Sequence, residues 1–66
     1  MGSKISFTVK QARRYADKTQ AECAERLGIC RHTYMRLEEN PSLITVEQSK
    51  AFAQYVGLPV ECISFA

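Results

Sequence analysis

The sequence has no apolar run long enough to cross a bilayer, no N-terminal secretory pattern, no Cys-x-x-Cys pair and no glycine-rich phosphate loop. A helical membrane span needs ~20 consecutive apolar residues, so the first absence excludes one. With the second, it predicts a soluble chain of the cytoplasm. Cys23, Cys30 and Cys62 are odd in number and form no close pair, which points to free thiols in a reducing compartment. Cys30 and His32 stand two apart, but a zinc site takes four protein ligands, or three when catalytic. Only Cys62 and scattered carboxylates remain to complete such a set, so no metal is expected. A single histidine with no Ser or Asp constellation leaves no reaction to assign, and neither an enzyme nor a cofactor is expected.

What is present is short, helical and lopsided in charge. Sixty-six residues hold one domain with a small core, marginal without good packing or a partner subunit. The net charge is only +2, yet residues 1–36 carry eight Lys and Arg against three Asp and Glu, and residues 37–66 carry one against four. A basic half is what a polyanion-binding surface requires, although ordinary scatter of surface charge gives a similar pattern.

Residues 1–7 read as an N-terminal arm and residues 8–66 as the domain. In the arm, Ile5 and Phe7 alternate with polar residues, and Lys4 is either solvated or near a phosphate. The opening MGSKIS also fits a short and permissive myristoylation pattern. Thr8-Val-Lys-Gln11, Thr19-Gln-Ala-Glu22 and Thr45-Val-Glu-Gln48 are three capping boxes at three expected helix starts. The first helix is placed from Val9 to about Asp17 with Val9, Ala12 and Ala16 inward. The second runs from Gln20 to Leu27 and stops at Gly28, a residue that tolerates the left-handed conformation. A third spans Arg31 to about Glu38. The fourth, Val46 to about Val56, buries Val46, Phe52, Ala53 and Val56. Proline near the start of Leu58–Ile63 suggests a short fifth helix. The architecture expected is all-α, a compact bundle of five short helices.

At about 100° per residue, Arg31, Met35, His32 and Arg36 share one face of the third helix, and Thr33, Leu37 and Tyr34 the opposite one. One side can pack while the other offers long, donor-rich side chains. Residues 8–63 resemble the helix-turn-helix domain of phage repressor and Cro-type regulators, the XRE family, which is lambda-repressor-like in fold. The resemblance rests on Gln20 opening the second helix, small Ala24 where the two helices touch, and Gly28 in the turn. Apolar Cys23, Leu27, Ile29, Tyr34 and Leu37 fall in the family's core slots.

The resemblance implies a dimeric repressor of phage or mobile-element type bound to near-palindromic double-stranded DNA. Its third helix would lie in the major groove, where Arg31 and Arg36 can each donate twice to guanine. His32 would read a base edge, and Met35 either meets a thymine methyl or closes the core edge. Phosphate contacts are expected at Thr19 and Gln20, where a helix N-terminus exposes N–H groups, and at Thr33 and Asn40. Arg13 and Glu38 fall where family members commonly carry an internal ion pair. Val60, Ile63 and Phe65 are expected to divide between closing the core and forming a dimer interface. Two departures stand out: Cys30 replaces the usual Ser or Thr cap, and Glu38-Glu39-Asn40 lacks the family's glycine and basic loop. The alternative is a module of the same fold that binds another protein, such as a toxin or antirepressor.

Overall fold

Three Thr side chains start three of the four helices. In the computed structural model, which describes residues 6–65, Thr8 caps α1 (Val9–Tyr15), Thr19 caps α2 (Gln20–Leu27) and Thr45 caps α4 (Val46–Val56). Each Oγ1 accepts from the backbone N–H three residues on, at 3.0–3.1 Å, and the Gln or Glu there accepts from the Thr N–H at 2.8–3.0 Å. The boxes satisfy donors that a helix start leaves unpaired. The arm residues 1–5, with the lysine contact and lipidation pattern expected there, lie outside the described residues, as does Ala66.

The helix ends differ in how they turn. α2 stops at Gly28, φ +72°, and Ile29 N–H donates to Ala24 O at 3.0 Å while Ile29 packs against the core. α1 ends at Tyr15, two residues earlier than the sequence suggests, because Asp17 takes the left-handed position at φ +58°. Lys18 N–H then donates to Arg13 O at 3.1 Å, closing the turn. A carboxylate side chain tolerates this conformation better than most. α3 (Arg31–Glu39) is followed by a single 3-10 turn at Pro41–Leu43.

Among the described residues the fold has four α-helices, so the fifth helix is a correction. After Gly57 the chain makes one 3-10 turn, Val60–Cys62, and then extends as β2 (Ile63–Ser64). β2 pairs in parallel with β1 (Phe7–Thr8), Phe7 opposite Ile63 and Thr8 opposite Ser64. Local helix signals lose here to pairing between the two ends of the chain and to burial of Ile63, which is 5% exposed. The core is Val9 and Ala12 of α1, Cys23 and Ala24 of α2, Tyr34 of α3, Phe52, Ala53 and Val56 of α4, and Ile63. The Tyr34 and Phe52 rings meet at 6.5 Å between centroids. Val46, expected to be buried, is 72% exposed. It occupies the first turn of α4, six positions before Phe52, where the helix runs past the core.

Candidate nucleic-acid interface

α3 is held from behind by Tyr34, fully buried, and Leu37, 5% exposed. Residues 3.6 apart return to the same face, so the rest of α3 turns outward. Arg31, His32, Met35 and Arg36 are all exposed, and so is Thr33. The opposite-face position of Thr33 therefore corresponds to the edge of the packed stripe, not to its centre. Cys30 has the extended conformation of a capping residue but makes no capping hydrogen bond to the helix. Its Sγ lies 3.1 Å from the Thr33 hydroxyl. That hydroxyl and the N–H groups of the first turn stabilise a thiolate, holding the Cys30 thiol below its ordinary value.

A buried carboxylate fixes how α3 sits against α1 and α2. Glu38 Oε2 accepts from Arg13 Nε at 2.6 Å, and Oε1 accepts from Gln20 Nε2 at 3.1 Å. Arg13 Nη1 donates to Lys18 O at 3.0 Å. Burial alone favours the neutral acid, but the hydrogen bonds and charge around Glu38 outweigh it, and its carboxyl lies below the usual range. Burial likewise opposes the Arg13 charge, and the hydrogen bond and charge of Glu38 reverse that, raising the guanidinium. The Tyr34 hydroxyl is buried beside this carboxylate and Cys23, with no hydrogen bond of good geometry to either. Burial pushes both the phenol and the Cys23 thiol up.

Gln20 has an internal partner that the sequence reading did not foresee. One amide N–H, expected to face a phosphate, is directed inward to Glu38. Thr19 is bound into its capping box, its Oγ1 accepting from Glu22 N–H. The backbone N–H groups of Gln20 and Ala21 have no intramolecular partner among the described residues. Asn40 closes α3 by donating its N–H to Arg36 O at 2.8 Å, and its Oδ1 accepts from the Ser42 hydroxyl at 2.8 Å.

The two arginines of α3 occupy different surroundings. Arg31 lines an open concavity of about 780 Å³ together with Lys10, Arg13 and Arg14 of α1, Lys18, and Thr19, Gln20 and Ala21 at the start of α2. Arg36 lines a smaller groove of about 340 Å³ with Thr33, Leu37, Leu43, Thr45 and Gln48. Lys10, Arg14 and Lys18 border the larger concavity, a grouping that the motif-based reading of the sequence did not single out. The spacing of four between Lys10 and Arg14 was the available signal, since it aligns them along one side of α1; Lys18 is brought beside them by the turn after α1.

Of Val60, Ile63 and Phe65, expected to divide between closing the core and a dimer interface, Ile63 closes the core, at 5% exposure. Phe65 is half-buried against the core, and Val60 is exposed. Among the described residues there is no group of three or more His, Cys, Asp or Glu that could hold a metal ion, and no helix long and apolar enough to cross a membrane. In comparisons with known proteins, the chain matches no family model, no curated protein and no solved structure.

Proposed function

We propose that this chain is a helix-turn-helix regulator that binds double-stranded DNA in a sequence-specific manner. The observation that carries the reading is the outer face of α3, where Arg31, His32, Met35 and Arg36 stand exposed while Tyr34 and Leu37 anchor the helix from behind. A rigid helix with fork-shaped donors on its free side suits the major groove, which admits an α-helix and presents paired acceptors at guanine. The uneven charge of the chain supports it, because the cationic half, residues 1–36, contains α1, α2 and the first two-thirds of α3. The resemblance to phage repressor and Cro-type domains adds a likeness of motif: a glutamine opening α2, a small residue at the α2–α3 contact and a glycine in the turn.

In this reading the protein acts as a repressor, paired across a near-palindromic operator with recognition helices about one DNA turn apart. Selection from a randomised duplex pool, followed by titration of the recovered sequence, tests it. Arg36→Ala is expected to weaken operator binding by about 1–3 kcal/mol and to relax preference at one base pair. Unchanged affinity and preference in that variant would remove α3 from the recognition surface. A second reading, a module that binds another protein, is favoured by the exposed Leu43 in the Arg36 groove. Salt separates the two, since phosphate-driven binding falls steeply as salt rises.

A further inference from the structure

The concavity beside α2 is lined by five cationic side chains and by no Asp or Glu. Glu38 pairs with Arg13, which leaves Lys10, Arg14, Lys18 and Arg31 without an ion-pair partner among the described residues. Lys10 and Arg14 lie one helical turn apart on α1 and are both exposed. Lys18 is placed by its own backbone: its N–H donates to Arg13 O and its C=O accepts from Arg13 Nη1. Its ammonium rests 4.7 Å from the centroid of the Tyr55 ring. Gln20 and Ala21, whose backbone N–H groups have no intramolecular partner among the described residues, also line the concavity. The Glu22 carboxylate, the nearest acid at the start of α2, is turned back onto Thr19 N–H.

We propose that this concavity is the principal anchor for backbone phosphates of the duplex, gripping them with Lys10, Arg14 and Lys18 from α1 and its turn while Arg31 joins it from the start of α3. The inference rests on the DNA-binding reading and adds to it where the duplex is held. Affinity then comes mainly from α1, and base preference mainly from Arg36 and its neighbours on α3. Arg31 contributes to both, since the same side chain borders the concavity and the outer face.

The test measures the affinity of the full chain for a duplex of fixed random sequence across a series of salt concentrations. Each phosphate contact contributes about 0.9 to the slope of log K against log salt for B-DNA. The variant Lys10→Ala/Arg14→Ala/Lys18→Ala is expected to lower that slope by roughly 2 to 3 while the ranking of operator sequences stays the same. Lys18 packs on Tyr55, so Lys10→Ala/Arg14→Ala, which touches only exposed positions, serves as the variant that keeps the fold. Its slope is expected to fall by roughly 1 to 2. Lys50→Ala, at an exposed position of α4, is expected to leave the slope unchanged. Duplex binding with an unaltered slope in the double variant overturns this anchor and leaves the DNA-binding reading standing. A parallel titration with inorganic tripolyphosphate, followed by amide NMR shifts, gives the complementary result. Shifts at Gln20 and Ala21 support the phosphate site. The same shifts from a chain that binds no duplex overturn both the backbone source and the DNA-binding reading.

Discussion

At the scale of single residues, Glu38 has the largest structural consequence. Its side chain is 5% exposed, accepts from Arg13 and Gln20, and lies beside the Tyr34 hydroxyl. Removing one member of a buried pair leaves the other charge uncompensated. Glu38→Gln is therefore expected to destabilise the fold by roughly 3 kcal/mol at neutral pH, measured by urea titration. The sign of the pH effect follows from the lowered carboxyl. Its contribution is fully present above the unfolded carboxyl value, about 4.3, and is lost as pH falls through the lower folded value. Thermal melts of the wild type should decline below that pH more steeply than those of Glu38→Gln. The thiols make a second residue-scale expectation. Thiolate is the reactive form, and Cys30 is exposed with its thiol lowered, whereas Cys23 is buried with its thiol raised. Iodoacetamide should label Cys30 well before Cys23 in the native chain, followed by peptide mass spectrometry. Equal labelling would mean that Cys23 is not held in the core.

At the scale of elements, α3 is the helix with the weakest start. α1, α2 and α4 have reciprocal Thr boxes, while Cys30 supplies no capping bond to α3. Its backbone already has the extended conformation that a cap requires. Cys30→Ser should therefore stabilise the domain by about 0.5–1 kcal/mol, read as a higher midpoint in urea. No gain would show that the Cys30–Thr33 contact already does the work of a cap. The element pattern was largely legible in advance. Gln20–Leu27 and Val46–Val56 could be bounded from a Thr before and a Gly after, because both signals act through backbone bonds within a few residues. α1 was less legible, since an Asp at the left-handed position leaves no glycine to mark the stop.

At the scale of the whole molecule, the chain ends decide the architecture. β1 and β2 join residues 56 positions apart, Phe7 with Ile63 and Thr8 with Ser64, and this pairing brings Ile63 into the core. Ile63→Ala should cost roughly 2–5 kcal/mol, the range for truncating a buried aliphatic side chain. Val60→Ala, at an exposed position, should stay within about 0.5 kcal/mol. Denaturant titration of the two variants checks the difference. Similar losses in both would place Val60 in packing that the isolated chain does not show.

The sequence by itself determined what local chemistry can settle: where three helices begin, where two of them stop, that Tyr34 and Leu37 of α3 face inward, and that positive charge gathers in the first half. Only the tertiary structure decided that Leu58–Ile63 is not a helix, that Gln20 faces Glu38, and that Lys10, Arg14, Lys18 and Arg31 border one hollow. Capping and periodicity act over one or two turns, so they are written into neighbouring residues. Strand pairing between termini, a carboxylate shared by three helices and a concavity between them depend on how distant segments come together.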